Sequence, residues 1–199
     1  MRYSKEHIQE TRNRIYRAAL SKFRSEGFHG IGVDGISKAA GVTSGAFYKH
    51  FGSKANAFRE VMSEGLALLR GGIEHSQAEN GAQWLNSFIK WYFSTHTRNA
   101  TNTDEDLLPM QGGCALPTLS PEVARTDEET RAAYEQELLQ IVKAISAGLP
   151  KETTMKKQVS WSMLATMIGG VTLARAIQDE KMAEEIAKSM VWANKKLIR

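Results

Sequence analysis

The stretch Ile36-Ser37-Lys38-Ala39-Ala40-Gly41-Val42-Thr43-Ser44-Gly45-Ala46-Phe47-Tyr48-Lys49-His50-Phe51 decides how this chain is read. Ser37 is small, where one short helix would pack across another. Gly41, four positions on, sits where a turn calls for positive φ, which glycine adopts at low cost. Phe47, six further on, is the apolar anchor of the second helix. Small, glycine and apolar residues at these offsets let two short helices cross steeply. A second helix held this way fits the DNA major groove, about 12 Å wide. The spacing alone does not single out DNA, because patterns this short recur by chance.

Helical signals extend in both directions. Upstream, the segment from Lys5 to Glu26 gathers Ile8, Ile15, Ala18, Ala19 and Phe23 on one face. Arg12, Arg14, Arg17, Lys22 and Arg24 lie largely off that face. Gly27 follows as a C′ stop. Short helices are predicted over Val33–Ala40 and Ser44–His50. Gly52-Ser53 is a break, with Ser53 placed to cap a long helix from Lys54. That helix carries Phe58, Val61, Met62, Leu66 and Leu69 on one face and weakens at Gly71-Gly72.

The remainder reads as a second, larger bundle. An aromatic-rich helix is expected over Trp84–Thr97, a polar loop over Arg98–Asp106, and a broken segment over Leu107–Leu119. Ser120-Pro121-Glu122 reads as a helix start, with serine as cap and proline at the first helical position. Asp127 restarts a helix that runs through Ala147, and Gly148-Leu149-Pro150 ends it. Two last helices are expected over Thr153–Gln178 and Asp179–Leu197. No proline precedes Pro109, and no long period-two run of β-branched residues occurs. The expected fold class is therefore all-α. The expected division is a three-helix head, residues 1–53, and a helical bundle, residues 54–199.

Charge is distributed unevenly. Residues 1–60 hold 11 Lys/Arg against 5 Asp/Glu, a net of +6, while residues 61–199 hold 15 against 17, a net of −2. A local positive field is what a phosphate backbone selects; a solvated basic helix face fits the same numbers. The single cysteine, Cys114, allows no disulfide within the chain and suits a reducing cytoplasm. The start Arg2-Tyr3-Ser4-Lys5-Glu6 has no apolar core of a signal peptide. The stretch Met163–Ala174 is short of the ~20 residues that span a bilayer. His7, His29, His50, His75 and His96 are scattered without metal-ligand spacing, and no phosphate loop or nucleophile signature occurs. No catalytic residue, metal or cofactor is therefore expected.

The wider string carries more. Thr11-Arg12, Ile15, Ala18-Ala19, Phe23, Gly27-Phe28, Val33, Ile36, Ala39-Ala40-Gly41-Val42, Gly45, Phe47-Tyr48, His50-Phe51 and Lys54 together resemble the N-terminal domain of the TetR family of transcriptional regulators. The likeness is strong over residues 11–58; beyond that only helix layout and length match. Two positions depart from the family pattern. Gly32 stands where a capping threonine is usual, which removes one phosphate contact, and Ser37 stands where alanine is usual. The resemblance implies a DNA-binding head, a C-terminal ligand-binding and dimerisation domain, and no enzymatic activity.

The individual residues fit those roles. Thr43 and Ser44 would cap the second short helix and reach phosphate or a base edge. Gly45 and Ala46 are small enough to let that helix approach a groove. Tyr48, Lys49 and His50 are polar on a short exposed helix, Lys54 is placed for a phosphate, and Arg12 belongs to the basic first helix. Ordinary solvated charge is the alternative for Lys49, His50 and Lys54; Phe47, Phe51 and Phe58 read as core.

In the second domain, Trp84, Phe88, Trp91, Tyr92, Met110, Cys114, Tyr134, Leu138, Trp161, Met163 and Met167 would suit a pocket for a flat or greasy effector. Plain core packing is the other reading of each. Leu164, Ile168 and Val171, with the small Gly169-Gly170, and the stripe Met182, Ile186, Met190 and Val191 would form a two-fold dimer interface of four helices; burial within the monomer is the alternative. Some members of the family sense oxidants or electrophiles through a cysteine in this region. Flanking glycines and a helix start would leave Cys114 accessible with a lowered pKa, unless it is simply a small buried hydrophobe.

The expectation is a cytoplasmic homodimer that binds a palindromic operator in double-stranded DNA and represses until a small molecule releases it. A ligand- or thiol-responsive activator of the same fold is the alternative. An all-helical enzyme lacks any clustered acid, base or metal-ligand set, and a helical protein-binding adaptor does not account for the basic head.

Overall fold

The computed structural model describes residues 4–93 and 114–198, and among these every element is helical. Helix α1 spans Lys5–Gly30, α2 Val33–Ala39, α3 Ser44–Phe51 and α4 Lys54–Asn80; after a single 3-10 turn come α5 Trp84–Tyr92, α6 Ala115–Val123, α7 Glu128–Gly148, α8 Lys156–Ala176 and α9 Glu180–Leu197. The expected loop Arg98–Asp106 and the pocket candidate Met110 lie outside the described residues. No helix among the described residues is long and apolar enough to cross a membrane.

Caps explain most of the boundaries. Ser4, Thr43, Ser53, Asp127 and Asp179 each accept a hydrogen bond from a backbone N–H in the first turn of the helix that follows, which satisfies donors the helix itself cannot. Gly32 caps α2 without a side-chain bond. Gly41 has φ +65° with open space around it, so its backbone conformation, not crowding, selects glycine there.

Three boundaries differ from expectation. Gly27 does take positive φ, +76°, yet helical geometry resumes through Gly30. Helix α4 runs through Gly71-Gly72 to Asn80 because Ile73 and Ser76 are buried beyond them, with Ser76 Oγ donating to the Trp84 carbonyl at 2.9 Å. Ser120 does not start a helix. It lies inside α6 with Pro121, and its hydroxyl donates back to the Leu116 carbonyl at 2.6 Å.

One continuous core links head and body. In the head, Phe23, Phe28 and Phe58 pack with ring centroids 4.9–6.2 Å apart, and Ile15, Ile36 and Phe47 are fully buried. The N-terminal end of α4 belongs to this cluster, while its later turns pack on α5, α6 and α7. Helix α4 is thus shared by both parts of the chain.

Several residues expected to line a pocket are core instead. Trp84, Tyr92, Met163 and Met167 are buried, and so is Phe88 except where it borders a cleft between α4 and α5. Trp84 Nε1 donates to the Gly148 carbonyl at 2.6 Å, and Phe88 stacks on Tyr92 at 5.9 Å. The expected dimer stripe is also split. Leu164 and Val171 are buried within the protomer, and a Cβ at Gly170 would collide with Met190. Gly170 therefore serves the close packing of α8 on α9 in one chain. Ile168, Ile186 and Met190 are half-buried, and only Met182, 50% exposed, faces fully outward.

Candidate nucleic-acid interface

Helix α3 is eight residues long, too short to be stable alone. Its inner face holds it. Phe47 is fully buried and stacks on Phe51, with ring centroids 5.6 Å apart. At its start, Thr43 Oγ1 accepts from the Ala46 N–H at 3.2 Å. Ser44, expected as a second cap, does something different: its hydroxyl donates to the Asp34 carboxylate at 2.6 Å. That bond joins the start of α3 to the first turn of α2 and fixes the angle between them. Asp34 was not legible as a partner, since ten positions separate it from Ser44.

The outer face is polar and open. Gly45, Tyr48 and Lys49 are exposed, while Ala46 and His50 are half-buried. Tyr48 packs its ring edge-on against Phe47 and remains 52% exposed. Burial, then the charges of Lys49 and Arg12, hold the His50 imidazole below its ordinary pKa. Lys49 is thus the principal positive charge that α3 itself presents at neutral pH.

Two residues expected at phosphate are occupied inside the head. Lys54 Nζ donates to the carbonyls of Phe28 and Ile31 at 2.8 and 3.1 Å and sits 4.5 Å over the Phe28 ring. Arg12 Nη2 lies 2.6 Å from both carboxylate oxygens of Glu60, and its guanidinium lies 5.0 Å from the Phe51 ring centre. Both cations tie helices together. A shallow cleft of about 370 Å³ on the outside of α1 and α2 holds Arg14, Arg17 and Lys22, and these contribute to the positive field of the head.

The body offers two clefts. One, of about 310 Å³ between α4 and α5, is lined by Gly72, His75, Ser76, Asn80, Ser87, Phe88 and Trp91. The other, of about 560 Å³, lies between α6 and α7 and includes Ser120, Tyr134, Glu128 and Arg131. Of the expected pocket set, Phe88 and Trp91 therefore meet at the first cleft and Tyr134 at the second. Leu138 is half-buried, and Trp161 is exposed on α8.

Cys114 differs from expectation in both accessibility and pKa. It is 4% exposed, and burial pushes its thiol pKa up, with the Tyr92 hydroxyl and the Leu116 amide offsetting part of that. Burial likewise lowers the nearby Arg24 to about 10.

Residues 15–61 match the family described as bacterial regulatory proteins, tetR family. Over 60 residues the chain is 43% identical to the HTH-type transcriptional regulator AcrR of Shigella flexneri, a match covering 30% of this chain and 28% of that protein. The chain thus spans little more than a quarter of that relative. A 24% identity extends over 186 residues of an uncharacterized HTH-type transcriptional regulator in the lacX 3′ region of Lactococcus lactis subsp. lactis, covering 89% of this chain and 90% of that one. Among solved structures, the reduced form of E. coli NemR has the same fold, with a TM-score of 0.75 at 18% identity over 95% of this chain and 97% of that chain. The head, residues 15–61, is therefore similar to the N-terminal region of bacterial regulatory proteins of the tetR family, and the described residues share the helical fold of the reduced E. coli NemR structure.

Proposed function

We propose that this protein is a DNA-binding transcriptional regulator that acts as a homodimer on a palindromic operator and represses until a small molecule releases it. The observation that carries the reading is helix α3. Its inner face is locked by Phe47 and Phe51, and its outer face presents Tyr48 and Lys49 from a head of net charge +6 over residues 1–60. Residues 1–53 act as the reading head, and residues 54–199 carry effector binding and dimerisation. Small residues Gly45 and Ala46 let the helix approach base edges, while Thr43 and Lys49 contact the backbone.

Dimerisation is assigned to the outer faces of α8 and α9. Trp161 and Leu173 on α8, and Met182 and Trp192 on α9, are 37–65% exposed. Large apolar side chains left in water on two adjacent helices favour self-association, and a two-fold pair makes a four-helix interface. Recognition helices would then enter successive major grooves about 34–36 Å apart. Effector binding is assigned to the cleft between α4 and α5. There Phe88 and Trp91, with ring centres 5.6 Å apart, offer an aromatic wall, and His75 and Ser87 offer polar atoms. A ligand there presses on α4, the helix shared with the head.

The test is a gel-shift screen of genomic fragments, including DNA upstream of the protein's own gene. Sequence-specific, salt-sensitive retention supports the reading; no retention of any fragment overturns it. A pH dependence follows. His50 has a lowered pKa in the free fold, so it is neutral at pH 7, and its protonation is disfavoured there. A nearby phosphate reverses that preference. DNA affinity is therefore expected to rise as pH falls from about 7.5 to about 6, through the ordinary histidine range. In His50→Gln, competitive-binding titrations should show that rise flattened.

A further inference from the structure

We propose that the elbow between α6 and α7, residues 122–130, sets the angle of the head and thereby the operator half-site spacing that the protein accepts. The inference rests on the dimer-on-palindrome reading above.

Two independent grips support it. The first is on α1. At Gly27 the backbone leaves helical geometry, with φ 76° and ψ 170°. The Phe28 N–H, which would otherwise donate up the helix, donates instead to Glu122 Oε2 at 2.9 Å. The carboxylate lies directly over residue 27. A Cβ there would sit 3.1–3.4 Å from its three atoms, so the positive φ favours glycine and the carboxylate leaves little room for a side chain. The Phe28 carbonyl is held from the other side by Lys54. The amide acceptor thus comes from the body, and it fixes the last turn of α1 just ahead of α2.

The second grip is on α4. Arg59 Nη2 lies 2.7 Å from Glu129 Oε2 and 3.4 Å from Asp127 Oδ1, and its Nε is 3.4 Å from Thr130 Oγ1. Asp127 also accepts from the Thr130 N–H at 2.7 Å, so the same carboxylate starts α7 and faces the head. Across the elbow, Ser120 Oγ and Tyr134 Oη are 2.6 Å apart, which couples α6 to α7. One short connection therefore holds both α1 of the head and the N-terminal end of α4, the helix that the head shares with the body.

A head held at two points resists rotation about α4. Lengthening an operator by one base pair moves its second half-site by about 3.4 Å and turns it by about 34–36°. Following that turn by swinging the head on α4 strains the Glu122 contact on α1 and the Arg59 contacts at the start of α4. These residues act as positioning residues for spacing, although neither lies on the helix that reads the bases.

The experiment compares wild type, Glu122→Ala, Glu122→Gln and Arg59→Ala on two operators, one with the selected spacing and one longer by a base pair. Wild type should prefer the selected spacing by about tenfold, a usual size for coupling between sites. Glu122→Ala should narrow the preference to within about threefold by relaxing its rejection of the longer operator. Glu122→Gln, whose amide oxygen still accepts from Phe28, should restore most of it. Arg59→Ala provides the second variant, with the same narrowing expected. A purely structural role would weaken binding to both operators alike; an unchanged ratio in Glu122→Ala and Arg59→Ala overturns the inference. Failure of the wild type to bind either operator would instead overturn the reading beneath it.

Discussion

Replacing Phe47 by alanine is expected to cost about 3–5 kcal/mol of stability, the range for truncating a fully buried phenylalanine. The side chain has no solvent exposure, and its ring stacks on Phe51. Whole domains of this size are stable by about 5–15 kcal/mol, so the loss is a large share of the total. It is concentrated where the structure is thinnest. Helix α3 has eight residues, and its own hydrogen bonds cannot hold it once the anchor is gone. Urea unfolding should show the lowered midpoint, and amide exchange should show α2 and α3 opening before the body. DNA binding should fall with them. The contrasting variant is Tyr48→Ala. Its ring is 52% exposed, so its removal should leave stability within about 0.5 kcal/mol, as for ordinary surface changes, while still weakening DNA binding.

Lys54→Ala is expected to cost about 2 kcal/mol or more, because hydrogen bonds to charged groups contribute about 1.5–3 kcal/mol each and two carbonyls lose their donor. Those carbonyls belong to Phe28 and Ile31. The variant should unfold at lower denaturant concentration, with exchange rising first over residues 27–32. Its DNA binding at low temperature, where the head remains folded, should keep the wild-type salt dependence. A lysine that neutralised a phosphate would behave in the opposite way, with stability unchanged and the salt slope reduced by about one.

The contrast between Phe47 and Lys54 shows what the chain discloses before it folds. Ser37, Gly41 and Phe47 answer local demands: a small contact, a positive φ and an apolar anchor within eleven residues. Those demands are met within one short unit, so their spacing is readable. Lys54 finds its acceptors 26 and 23 positions upstream, and Arg12 finds Glu60 48 positions away. A free lysine and a clamped one look identical in a sequence.

The body was legible as helices but not as surfaces. Aromatic residues on α5 follow the same period whether they line a cleft or fill a core. Which they do depends on partners such as the Gly148 carbonyl, 64 positions from Trp84. The stripe Met182, Ile186, Met190 and Val191 does not present one uniformly exposed face, for a geometric reason. At 3.6 residues per turn, each step of four drifts by about 40° around the helix. Over two steps Met182 points outward, whereas Met190 approaches Gly170 and α8. Outward positions are instead Trp161 and Leu173 on one helix and Met182 and Trp192 on the next. Cys114 departs from expectation similarly: its neighbours in sequence suggested exposure, but the folded thiol is buried, with the Tyr92 hydroxyl and the Leu116 amide as hydrogen-bond partners.

The central claim is that the outer face of α3 meets DNA. The most direct measurement is the dependence of operator affinity on salt concentration, compared between wild type and Lys49→Ala. Lys49 is exposed on that face, so its removal should weaken binding and reduce the slope of log K against log salt by about one. An unchanged affinity and slope in Lys49→Ala, with the fold intact, would contradict the account.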